Sequence, residues 1–153
     1  MRRSEKQITD RTDIDEIIRG SRACHLAMCD GQHPYVVPLC FGYDGSALYF
    51  HCAREGRKID ILCKNPKVCV EFDIPGDTVE ADEACVWGLK YRSVIAIGRA
   101  ELIESAAEKR EGLRCLMNQY APSRQSWSFP DAAVDRVTIV KVLIEEITGR
   151  QSV

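Results

Sequence analysis

The segment richest in chemistry runs from Tyr49 to Leu62: Tyr-Phe-His-Cys-Ala-Arg-Glu-Gly-Arg-Lys-Ile-Asp-Ile-Leu. Its pattern predicts a strand ending at His51-Cys52, a turn through Glu55-Gly56, and a helix whose first turn holds Arg57-Lys58. A helix start presents N–H groups with no partner inside the helix and carries about half a unit of positive charge. Two cationic side chains there make a pocket suited to a phosphate dianion. Basic residues in a first turn oppose the helix dipole, a local conflict of the kind found at functional positions. A solvated basic pair on a surface helix has the same sequence, so the residue types leave both readings open. His51 has the chemistry to bond a phosphate, position a substrate or shuttle a proton, and equally to donate to a loop carbonyl. No Ser-His-Asp or Cys-His arrangement can be built from the spacing, which leaves His51 as a weak catalytic candidate.

The elements that must position this turn follow from periodicity. Thr12-Asp13-Ile14-Asp15 resembles a capping box, and Ile14, Ile17 and Ile18 follow at helical spacing up to Gly20. Three strands are then expected over Ala23–Met28, Tyr35–Tyr43 and Leu48–Cys52, with turn signals at Asp30-Gly31 and Asp44-Gly45. Tyr35, Val37, Leu39, Phe41 and Tyr43 share one face of the second strand. Pro38, on the other face, cannot donate to a ladder, so an edge-like or interrupted stretch is expected there, with backbone groups open to a ligand. A helix over Glu55–Lys64 closes at Asn65-Pro66. Strands follow over Lys67–Ile74 and Tyr91–Ile103, separated by a long irregular connection at 75–90. Ser105-Ala106-Ala107-Glu108 opens a helix that ends before Pro122. Val137–Ile147, apolar on both faces, belongs at the centre of a core or at an interface. Trp87 and Trp127 fall in or beside loops, where interface packing suits them. Six strands with flanking helices satisfy their edges best as a small barrel, so the fold class is mainly β, α+β, in one domain over 1–153.

Composition narrows the function. With 153 residues, 45% hydrophobic and 29% charged, the chain has the size and balance of one globular domain. A net charge of −2 without a basic cluster points away from nucleic acid. Arg2-Arg3 is followed by no apolar run, and no stretch is long enough to cross a bilayer, so a cytoplasmic address and no membrane partner are expected. Eight cysteines lack any Cys-x-x-Cys spacing and fall mostly in apolar strand runs, which reads as reduced thiols serving as small hydrophobes. Cys24, His25 and Cys29 could be taken as metal ligands, but Cys24 and Cys29 would point to opposite faces of a strand while zinc ligands converge; no metal is expected. His25 and His33 read as strand and turn residues without a chemical role.

Phe50-His51-Cys52-Ala53 with Gly56-Arg57-Lys58-Ile59-Asp60 resembles the phosphate-binding turn of the FMN-binding split-barrel proteins, the pyridoxamine 5'-phosphate oxidase-like family. The likeness is to the branch that includes nitroimidazole-resistance proteins. Further matching stretches are Met1-Arg2-Arg3, Pro34-Tyr35-Val36-Val37-Pro38-Leu39, Asn65-Pro66-Lys67-Val68-Cys69, and Tyr91-Arg92-Ser93-Val94-Ile95 with Gly98-Arg99-Ala100. The resemblance implies a six-stranded split barrel that binds FMN. It places the phosphate on Arg57 and Lys58, with His51 and Cys52 lining the same turn. Cys52 stands where the family often has Ser. Backbone at Val37, Pro38 and Leu39 would run along the isoalloxazine ring. Arg92 and Ser93 would reach the cofactor from the partner of a homodimer. The implied activity is oxidoreduction between a nicotinamide donor and a small acceptor, with a nitroaromatic as one candidate; a non-catalytic flavin or haem module is the alternative. A dimer is also expected because long strands apolar on both faces expose more than a monomer usually tolerates.

Overall fold

A computed structural model describes residues 4–152 of the chain; the Met1-Arg2-Arg3 stretch lies outside them. Eight strands and four α-helices are present among the described residues. In order they are β1 Gln7–Ile8, α1 Arg11–Gly20, β2 Cys24–Cys29, β3 Pro34–Leu39, β4 Gly42–Tyr43 and β5 Ala47–Cys52. Then come α2 Arg57–Lys64, β6 Lys67–Val79, β7 Gly88–Ile103, α3 Ala106–Tyr120, α4 Asp131–Val134 and β8 Thr138–Ser152. None of the helices is long and apolar enough to cross a membrane.

All eight strands form one antiparallel sheet in the order β3-β2-β6-β7-β8-β5-β4, with β1 added on β8. The two ends of that order, β3 and β4, are separated in the chain by Cys40 and Phe41 alone. The sheet must therefore curl until its ends meet, which makes a barrel with a seam along β3. Its interior is filled from alternate positions: Leu26, Phe41, Phe50, Val70, Phe72, Val94, Val140 and Val142 are fully buried. Phe41 meets Phe72 edge-on with ring centroids 4.9 Å apart, a favoured aromatic geometry. Helix α1 buries Ile14, Ile17 and Ile18, and α3 lies so close to β4 that a Cβ on Gly42 would sit 2.5 Å from the Leu116 backbone N.

The expected barrel is present, with local differences, and Pro38 lies on the edge-like stretch expected of it. The count is eight strands because β1 is an additional short pair and the expected Tyr35–Tyr43 strand is two, broken at Cys40-Phe41. Pro38 does not break it: it stays in register opposite His25 because β3 pairs with β2 alone and its other edge needs no donor. The expected loop at 75–90 is mostly ribbon, since β6 and β7 pair on past a bulge as far as Val79 and Gly88. Pro75 and Gly76 sit at that irregularity, where a missing donor is tolerated. At α1, Asp10 caps by accepting from the Thr12 N–H at 2.7 Å, so Thr12 lies inside the helix. Of the eight free cysteines only Cys24 is a core thiol, and burial pushes it up to about 12; Cys40, Cys63 and Cys85 are exposed.

Candidate functional site

Strand β5 delivers His51 and Cys52 to one end of the barrel, opposite Ile139 and Thr138 of β8. The chain turns at Gly56, whose φ of 130° is open to glycine and strained for other residues. It then enters α2 with no side chain capping the first N–H groups. Arg57 and Lys58 stand in that first turn, and neither takes part in an ion pair among the described residues. Helix start, arginine and lysine thus bring positive charge together at one point, with Asp60 in the same turn.

The corner is braced from below. The Arg57 guanidinium lies 4.4 Å from the centroid of the Tyr35 ring on β3, a cation–π contact that holds it in place. At the far end of α2, the Asn65 side-chain amide donates to the Cys29 carbonyl at 3.0 Å, which ties the helix to β2. Lys58 is half-buried beside Cys52. Burial pushes the Cys52 thiol up while the Lys58 ammonium pulls against it. The Cys52 thiol donates weakly to the Thr138 carbonyl at 3.6 Å. His51 is exposed, and its imidazole makes no hydrogen bond among the described residues. Asp30 adds one negative charge near the corner. The backbone N–H groups of His33 and Gln32 hold its carboxyl below the usual range, with His33 and Arg57 adding to the effect.

Strand β3 runs away from this corner as the seam of the barrel. Tyr35, Val37 and Leu39 pack inward against the core, while Val36 and Pro38 face out, Val36 at 59% exposure. Because β3 pairs with β2 alone, the backbone along Val37, Pro38 and Leu39 has an edge free of strand partners. An edge of that kind can bond a planar heterocycle through main-chain groups.

The sequence-predicted residues therefore fall into two groups. Arg57, Lys58, His51 and Cys52 share one end of the barrel, and Val37, Pro38 and Leu39 line the seam leading from it. Arg92 and Ser93 lie elsewhere: Ile103 of β7 pairs beside His51's neighbour Ile139, and Arg92 is about 35 Å further along the strand. Arg92 borders a cavity of about 290 Å³ with Ile74, Lys90, Tyr91 and Ser152. Another cavity of about 390 Å³, polar and lined by Arg19, Asp44, Glu111 and Arg114, contains none of the predicted residues. Tyr35 and Asp30 were missed as site residues. Their contacts with Arg57 join positions more than twenty residues apart, and only tertiary structure reveals them.

Comparison with known proteins agrees with this architecture. A family model described as pyridoxamine 5'-phosphate oxidase matches residues 10–151. A crystal structure of a candidate 5-nitroimidazole antibiotic resistance protein from Bacteroides thetaiotaomicron VPI-5482 superposes with a TM-score of 0.84 at 34% identity, covering 95% of this chain and 86% of that one. The FAD and heme binding protein from Mycobacterium smegmatis has a TM-score of 0.87 at 21% identity, covering 96% and 73%. At that identity the likeness speaks for the fold alone. An uncharacterized protein of Rhizobium meliloti (strain 1021) is 29% identical over 66 residues, a match that spans 43% of this chain and 43% of that protein, less than half its length. With nearly the whole sheet inside the matched residues and a relative one-third identical over almost its full length, the chain belongs to the pyridoxamine 5'-phosphate oxidase family.

Proposed function

We propose that the chain binds FMN and works as a homodimeric, FMN-dependent oxidoreductase on a small acceptor, with a nicotinamide nucleotide as electron donor. The observation that carries this reading is the start of α2, where Gly56, Arg57 and Lys58 leave a helix N-terminus uncapped by side chains and doubly cationic. Such a corner suits a terminal phosphate monoester, which FMN has and riboflavin lacks.

The flavin supplies the redox chemistry when bound, and the residues of the chain hold and orient it. Arg57, held over Tyr35, and Lys58, beside Cys52, are the residues that would hold its phosphate. The open edge at Val37 and Leu39 offers backbone groups to the polar rim of the ring. Pro38 and Val36, which face outward from this strand, would shield part of the ring from water. His51, exposed and without a bonded partner, is the side chain at this end suited to proton transfer. The acceptor is a small molecule, with a nitroaromatic as one candidate, and the setting is the cytoplasm.

A second copy is part of the proposal. Val36, Ala27, Cys69 and Ile97 lie opposite one another on four adjacent strands and form an apolar row on the outer face, with Val36 59% and Ile97 44% exposed. Covering that row removes apolar surface from water, and brings Arg92 and Ser93 of one copy within reach of the other copy's flavin. Sedimentation is expected to give a dimer mass, and Ile97→Glu a monomer.

The function itself is tested by the spectrum of freshly purified protein. Flavin absorption that bleaches under NADH or NADPH supports the oxidoreductase. Flavin absorption inert to both nucleotides would favour a flavin store or sensor. A Soret band would favour a haem module, a reading prompted by the FAD and heme binding neighbour and by an exposed His51 of the type that ligates haem iron.

A further inference from the structure

We infer a divalent-cation site on the outer face of the sheet, formed by His25 of β2 with Glu71 and Asp73 of β6. It stands apart from the α2 corner and does not depend on the flavin reading. His25 and Glu71 are directly opposed across the β2–β6 pair, and Asp73 follows Glu71 by two residues, so all three side chains leave the same face. One ligand atom from each lies within 4.8 Å of the others. The His25 Nδ1–H donates to Glu71 Oε2 at 3.0 Å.

These distances suit a small cation. Bonds of about 2.0–2.2 Å place neighbouring ligand atoms roughly 3.0–3.5 Å apart around a metal, which the His25–Glu71 pair already meets. A side-chain rotation at Asp73 brings the third atom in. Both strands are in register on a rigid ladder, so the ligands need no backbone rearrangement.

The charge arrangement points the same way. Two carboxylates stand on one strand face, and a single imidazole answers them. Among the described residues, Glu71 pairs with His25 alone and the Asp73 carboxylate has no ion-pair partner. Arg22 borders the adjoining cavity of about 370 Å³ together with His25, Asp73, Ser21 and Pro75, without bonding either carboxylate. That cavity gives solvent and ions a route to Asp73. The apolar row through Ala27 and Cys69 lies one pair of residues further along the same strands, and Pro38 and Ser93 pair beside His25 and Asp73.

Mixed imidazole and carboxylate ligands select first-row divalent ions over calcium or magnesium. The ion takes three protein atoms, with the neutral His25 ring binding through Nδ1 and carrying its one N–H proton on Nε2, and fills its remaining positions with water. A cross-strand His–Glu ion pair with no metal role is the competing account.

Manganese(II) is the probe, because eight free cysteines would compete for zinc through thiolate. Electron paramagnetic resonance of Mn²⁺ titrated into the full chain as purified is expected to show one bound ion per chain. Asp73→Asn, Glu71→Gln and His25→Gln should each raise the half-saturating concentration about tenfold or more, while Asp77→Asn leaves it unchanged. Mn²⁺ should also raise the melting temperature of the parent and not of Asp73→Asn. The melting curves of the variants report whether each is folded. Mn²⁺ that stays free, or that binds folded Asp73→Asn and Glu71→Gln as it binds the parent, overturns the site.

Discussion

Helices α1 and α2 begin in opposite ways. At α1, Asp10 caps the Thr12 N–H, Asp13 stands in the first turn and Arg19 in the last, so charge and hydrogen bonds are answered within the helix. At α2, Gly56 offers no side-chain cap, Arg57 and Lys58 share the first turn with Asp60, and among the described residues neither cation is in an ion pair. Both helices bury three isoleucine or leucine side chains against the barrel, so both are held by apolar packing. Only α1 uses its start for stability. The start of α2 keeps its N–H groups and its charge available, at a small cost to the helix, and the proposed phosphate grip rests on that contrast.

Removing the cations of α2 should have the largest effect. Arg57→Ala with Lys58→Ala is expected to weaken FMN binding by about 100-fold or more, from two charge-assisted contacts of about 1.5–3 kcal/mol each. Fluorescence titration measures this, and the melting temperature of the apoprotein should hardly move. Lys58→Glu removes one cation from the first turn of α2 and adds a second carboxylate beside Asp60. It should cost at least about tenfold in FMN affinity yet stabilise the apoprotein by about 0.5 kcal/mol, an opposite pair of signs that a purely structural lysine would not give.

The mirror experiment is Asp10→Ala, expected to lose about 1 kcal/mol of stability through the missing cap and to leave FMN affinity alone; urea melts and titration check both. The smallest effect belongs to Asp30. Its folded-state carboxyl is depressed, so the stability it contributes is present above the ordinary carboxylate range and fades as pH falls through the lowered value. Asp30→Asn should flatten the acid limb of the stability curve. It should also tighten FMN binding by about two- to fivefold, because an exposed like charge near the phosphate is removed.

Much of the scaffold was legible because the strands alternate and the helices repeat at their own period. What escaped notice is where two arrangements share one pattern. Tyr35 through Tyr43 keeps its alternation through the break at Cys40-Phe41, so the corner leaves no trace in residue types. Pro75, Gly76 and the acidic residues after them look like a loop, yet the ribbon continues because its pairing tolerates a bulge. Asp10 and Thr12 are both good caps, and backbone geometry chose Asp10. The cysteines read as core positions because their neighbours are apolar, whereas Cys24 alone is fully buried and Cys40, Cys63 and Cys85 are exposed. At the site, Gly56, Arg57 and Lys58 announce their chemistry locally. Tyr35 beneath Arg57, Asp30 beside it, and Glu71 opposite His25 are products of folding that no local spacing encodes.

The grip of α2 on a phosphate is tested most directly by titrating FMN and riboflavin separately into the same apoprotein by calorimetry. The two ligands share the ring and differ at the group that Arg57 and Lys58 are proposed to hold. FMN is expected to bind at least about 100-fold more tightly, with the gap narrowing as salt is raised. Equal affinities for the two would contradict the account.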